Sequence, residues 1–269
     1  VERLLNALQT LNIDHRQVKY IIPTHIHLDH AGGAGTMMGL FNQARLIVHN
    51  RGARHMIDPQ RLIEGSKAVY GEALFQDLYG DIQPVSEDRV DSAADLECYS
   101  VGKRNLLFID TPGHARHHFC IFDEHSNGIF SGDTFGLAYP PLKQHGFGLI
   151  PSSSPPQFDP EALIASIDRL VSFQPETMYL THYGDIDRPD QRAQGLKQWI
   201  YDYVALCEKI EPIDASSEKR LAAELVNMTM SRLSESGNFC AETVMPLLAL
   251  DLKLSAQGLA HWWRLAHCE

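Results

Sequence analysis

The chain has 269 residues, 44% of them hydrophobic, and its 23 Lys and Arg against 34 Asp and Glu leave a formal charge of −11. That composition excludes a disordered or fibrous chain, and the length suits one core with a modest extension, since single cores stop growing near about 250–300 residues. No run of Lys or Arg exceeds two residues, so the electrostatic footprint of a nucleic-acid binder is missing and no nucleic-acid partner is expected. No apolar run approaches the roughly 18 residues of a membrane span, and no basic segment followed by an apolar one opens the chain, so no membrane partner is expected either. Cys98, Cys120, Cys207, Cys240 and Cys268 are odd in number, scattered and without a CxxC pair. Neither a disulfide framework nor a cysteine zinc site is suggested, and a cytoplasmic location is expected.

The opening stretch places Leu4, Leu5, Leu8 and Leu11 at helical spacing, and Val18 to Pro23 reads as a buried strand stopped by its proline. After a histidine-rich segment come AGGAG, a short apolar helix to about Phe41, and a second strand ending near His49. Residues 51–80 carry Met56, Leu62, Ile63, Val69, Leu74, Phe75 and Leu78 without strand alternation. They predict two short helices broken near Pro59 and Gly71, placed to cover a pocket. From about Pro84 the pattern changes to short strands, LECYSV, NLLFIDT, HFCIFDE and NGIFSGD, and residues 140–157 predict a long loop. FDPEALIASIDRL has an acidic first turn, an early proline and a one-sided apolar face, the marks of a helix; the strand TMYLTH follows. Beyond about Asp190 the apolar residues fall at helical spacings that predict three closing helices.

Fourteen histidines are many for this length, and their placement carries the chemistry. In THIHLDH, His25, His27, Asp29 and His30 directly follow a predicted strand. In extended backbone His25 and His27 share a face and can grip one ion, while the turn at Asp29 and His30 aims at a neighbouring one. His114 in TPGHA, Asp133 in SGDTF and His182 in LTHYG each follow a further predicted strand. Any one of these alone reads best as an ordinary turn residue; together, in this order, they read as donors on a rigid sheet. His117 and His118 read as supporting residues behind the site or as plain strand residues, His118 being the better candidate for support, His49 as a strand end on a rim, and Tyr183 as either packing or a contact to a substrate oxygen. His55, His125, His145, His261 and His267 read as solvent-facing.

These four segments resemble the ligand motifs of the metallo-β-lactamase-fold hydrolases, the glyoxalase II-like dinuclear enzymes in particular, over residues 18–184. The resemblance implies an α+β fold, a four-layer αββα sandwich forming a catalytic domain at residues 1–189, with a helical C-terminal extension at 190–269. It implies that His25, His27 and His114 hold one metal ion, that Asp29, His30 and His182 hold a second, and that Asp133 bridges them. The cofactors implied are two divalent ions, zinc first, with iron or manganese also compatible with an N/O set free of thiolate. The family's fold opens with several strands before a helix such as that at residues 1–11. Those strands are absent, so the chain is expected to lack an N-terminal part of the native protein.

The implied activity is hydrolysis of a carbonyl ester, a thioester or lactone above all, by a metal-bridging hydroxide, with Asp29 and Asp133 as the catalytic carboxylates. Thiol and alcohol leaving groups ask less of the protein than an amide nitrogen. Lactamases of this fold with a metal-binding cysteine carry it where this chain has Asp133, and the flavin-linked diiron branch has glutamate in place of His27, so both activities are disfavoured. A phosphodiesterase of the same fold and a non-catalytic, metal-containing regulatory protein are the alternatives. The expected partner is a small-molecule acyl substrate, and the C-terminal helices are expected to serve as a lid or as a homo-oligomer surface.

Overall fold

The structure, a computed structural model, describes residues 1–143, 148–211, 217–236 and 241–267. His145, Cys240 and Cys268 lie outside the described residues. Two compact units are present. The first comprises Val1–Asp110 and His117–Ile121, the second Thr111–Arg116 and Phe122–Glu269.

In the first unit, α1 (Glu2–Thr10) leads to β1 (Tyr20–Ile21), α2 (Leu28–Ala31), α3 (Ala34–Leu40) and β2 (Arg45–His49). Next come α4 (Asn50–Ile57), α5 (Gln60–Tyr70), α6 (Glu72–Tyr79), β3 (Val90–Ala93), β4 (Cys98–Val101), β5 (Arg104–Asp110) and the start of β6 (Phe119–Asp123). The chain breaks fall at Pro59 and Gly71 as expected, but α4 begins directly at Asn50, so two breaks make three helices where two were predicted. β1, β2 and β3 form a parallel sheet with β2 in the middle. A central parallel strand is covered on both faces and so reads as a continuous apolar run. In β2, Leu46 and Val48 pack with Ile26, Met38, Phe41 and Met56, while Ile47 points to the opposite face with Phe108, Phe119 and Ile121.

The second unit holds the end of β6, β7 (Gly128–Gly132), α7 (Pro140–Lys143), α8 (Pro160–Ser172), β8 (Thr177–Leu180) and β9 (Gly184–Asp187). Three long helices follow, α9 (Pro189–Ile210), α10 (Ser217–Ser236) and α11 (Ala241–His267), packed on one another. The second sheet has strand order β4-β5-β6-β7-β8-β9. α8 starts as its sequence signals: the Asp159 side chain accepts from the Ala162 N–H and Pro160 opens the first turn. The hairpin partner β9 was not foreseen, because GDID carries one apolar residue and becomes a strand only by antiparallel pairing with β8. The stretch expected as a loop at 140–157 includes the short helix α7. No helix among the described residues is long and apolar enough to cross a membrane.

Candidate metal centre

The first unit assembles four donors where β1 gives way to α2. His25 is buried and His27 half-buried. His25 Nε2 lies 3.1 Å from His27 Nδ1. His27 is the N-cap of α2, so Asp29 and His30 sit in the first turn of a short helix, where the sequence suggested only a turn. Asp29 keeps an exposed carboxylate, with Oδ2 3.1 Å from His30 Nε2. The His30 ring centroid stands 4.0 Å from that of His25. Behind them His118, wholly buried, stacks on His25 at 4.8 Å. The Thr24 hydroxyl pairs with His25 Nδ1 at 3.2 Å, which leaves Nε2 turned toward His27. On α6, Tyr79 is kept protonated mainly by burial and by its hydrogen bond with Tyr70, with a smaller contribution from the Asp29 carboxylate.

The second unit assembles three. His114 belongs to a turn pinned onto α8. The Ser166 hydroxyl donates to Pro112 O at 2.6 Å and the Asp159 N–H donates to Gly113 O at 2.8 Å. Gly113 has φ +127°, and a Cβ there would lie 2.2 Å from Leu163 N, so no other residue fits. Asp133 follows β7, whose register against β8 shifts between Phe130 and Gly132; such irregularities re-aim side chains at a strand end. His182 is the middle residue of the three-residue connection between β8 and β9, whose strands close at Leu180 and Gly184. Asp133 is buried, with Oδ2 3.5 Å from His114 Nε2 and Oδ1 3.5 Å from His182 Nε2. His114 Nδ1 lies 3.2 Å from Ser152 O. A carbonyl can only accept, so Nδ1 carries a proton, and in the neutral imidazole the Nε2 lone pair faces Asp133.

The spacings fit cations as well as hydrogen bonds and ion pairs. Two ligand atoms each about 2.1 Å from a tetrahedral ion stand roughly 3.4 Å apart, close to the 3.1 Å of the His25–His27 pair and the 3.5 Å on either side of Asp133. Each oxygen of the Asp133 carboxylate faces a different imidazole, and every side chain of the set offers nitrogen or oxygen.

Residues 2–182 match the Metallo-beta-lactamase superfamily. The chain belongs to the metallo-β-lactamase superfamily. Its two sheets with flanking helices are that family's fold. Among similar proteins, the metallo-beta-lactamase fold-containing protein ST1585 of Sulfurisphaera tokodaii is 24% identical over 188 residues, 68% of this chain and 67% of the relative. The crystal structure of ST1585 superposes with TM-score 0.56 at 26% identity over 67% of each chain. The metallo-beta-lactamase family protein TTHA1429 of Thermus thermophilus covers 98% of this chain and 80% of its own, with TM-score 0.62 and 22% identity. TTHA1623, solved in a di-iron-bound form, covers 69% and 79% with TM-score 0.50 and 24% identity. A metallo-β-lactamase fold with these His/Asp clusters is suited to divalent metal.

Within each unit, further residues beside these side chains carry no signal in the sequence. Ser152, Thr24 and Tyr139 carry no motif signal, because their roles come from backbone and packing partners distant in sequence. Tyr139 is buried, its phenol donates to Asp251 of α11, and burial first and that hydrogen bond second hold the phenol far above its ordinary pKa. Its ring packs 4.5 Å from that of exposed Tyr183, which adjoins His182 with φ +75°. His49, expected on a rim, is buried: its Nδ1 accepts from the Arg51 N–H, so its Nε2–H donates to Asp110 Oδ1 at 3.0 Å.

Proposed function

We propose that this metallo-β-lactamase-family chain is a dinuclear metal-dependent hydrolase of carbonyl esters, thioesters or lactones in particular. His25, His27 and His114 would hold one ion, Asp29, His30 and His182 the other, and Asp133 both. The observation that carries the reading is Asp133 with one oxygen toward His114 and the other toward His182, alongside the converging imidazoles of THIHLDH. Bound divalent ions supply an acidified water and a Lewis acid for a carbonyl oxygen. This chain's own residues supply the rest. Ser152 O and the Thr24 hydroxyl hold the Nδ1 edges of His114 and His25, so that Nε2 is the atom presented to a metal. Asp29, the more exposed of the two carboxylates, would hold and pass a proton, and the exposed Tyr183 phenol beside His182 would meet a polar substrate atom.

Zinc is the first choice of metal, and iron is supported by the di-iron form of the similar TTHA1623. A reducing cytoplasm suits the thiols of Cys98, Cys120 and Cys207, which form no disulfide, and the partner is a small acyl compound. The test is a panel run on protein loaded separately with zinc, iron and manganese: acyl-thioesters, acyl-homoserine-type lactones, nitrocefin and a chromogenic phosphodiester. Turnover of the first two classes, abolished by His114→Ala, is the expected result. Turnover of the phosphodiester alone would overturn the ester reading in favour of phosphodiester cleavage. No turnover of any substrate at full metal occupancy would instead favour a regulatory role.

A further inference from the structure

We infer that α11 is a positioning element of the metal centre, bracing the backbone behind His114 through Gly258 and the aromatic pair beside His182 through Asp251. The first brace is a contact of helix backbone on loop backbone. A Cβ built on Gly258 would lie 1.7 Å from Ser153 O, 2.8 Å from Ser153 C and 2.9 Å from Ser154 C. Buried Ser153 also donates its hydroxyl to Ser255 O, one turn earlier on α11, at 3.5 Å. The neighbouring carbonyl, Ser152 O, is the one that accepts from His114 Nδ1. Glycine weakens a helix interior relative to alanine, so its presence in the middle of α11 is explained by this close approach. Any side chain there must push the Ser152–Ser154 segment, and with it the acceptor that sets the His114 tautomer. The second brace is Asp251, which takes the Tyr139 phenol hydrogen and holds that ring under Tyr183. Tyr183 keeps a left-handed backbone that an L side chain adopts only when its surroundings hold it there, and it shares the β8–β9 connection with His182.

The inference rests on His114 and His182 being metal ligands. Its test compares Gly258→Ala with Gly195→Ala in α9, where an added Cβ meets nothing within 4 Å, and with Tyr139→Phe. Metal affinity is measured by competition with a chromophoric chelator, and the His114 tautomer by imidazole nitrogen chemical shifts. Loss of support behind a metal ligand typically weakens affinity about 10- to 100-fold. Gly258→Ala should therefore lose at least about tenfold in affinity and shift the His114 nitrogens away from the pure Nδ1–H pattern. Tyr139→Phe should lose affinity for one ion, and Gly195→Ala should match wild type. If folded Gly258→Ala binds metal as tightly as wild type with His114 unchanged, the inference is overturned. Should Gly258→Ala fail to fold, Tyr139→Phe decides, and wild-type affinity in it overturns the inference. Wild-type protein that binds no divalent ion would instead overturn the ligand assignment beneath it.

Discussion

In the proposed centre Asp133 is the residue that matters most, because a carboxylate with so little exposure is expensive to bury without positive charge nearby. Replacing it by asparagine keeps the shape and removes the charge. Asp133→Asn should therefore lower bound metal from two ions per chain toward one, while the metal-free protein melts no lower than metal-free wild type. Elemental analysis and a melting curve check both halves, and two ions retained in Asp133→Asn would contradict the bridging role. His25, His27, Asp29, His30, His114, Asp133 and His182 stand out as candidates because donor side chains and their spacing are written directly in the sequence. Ser152 and Gly258 do not, since one acts through a carbonyl every residue has and the other through the absence of a side chain.

At the scale of elements, the least predictable partner is Arg89. Its guanidinium donates to Met38 O at 2.9 Å, Phe41 O at 2.6 Å and Ala44 O at 2.7 Å, gathering the carbonyls at the end of α3 and in the turn before β2. Hydrogen bonds to a charged group contribute more than neutral ones, and removing the donor strands its acceptors. Arg89→Met should therefore cost about 2–3 kcal/mol in urea unfolding; a loss within the error of the midpoint would show that water replaces the guanidinium. Helices and buried strands were read well wherever an apolar period existed, as in α8 and β2. β3 and β9 are short and polar and draw their hydrogen bonds from neighbours remote in sequence, and β1 shrinks to two residues before Pro23. No local pattern announces such strands, because pairing rather than propensity makes them.

For the whole molecule, binding of ions by the native state alone must raise its stability by mass action. Protein stripped with a chelator should melt lower than reloaded protein, by roughly 5–10 °C at a hundredfold excess of free metal over Kd. Calorimetry on stripped, zinc-loaded and iron-loaded samples would show it, and identical curves would leave the donor set without a cation to bind. Composition, helix periods and the seven-residue His/Asp pattern were enough to indicate family and fold class, because hydrophobic period and side-chain identity are local properties of a sequence. Only the tertiary structure decided that His49 is sealed against Asp110, that Ser152 sets the tautomer of His114, and that α11 rests its Gly258 on Ser153. These depend on which segments approach one another at separations of 38 residues and more, a matter of packing geometry for which the chain carries no local signature.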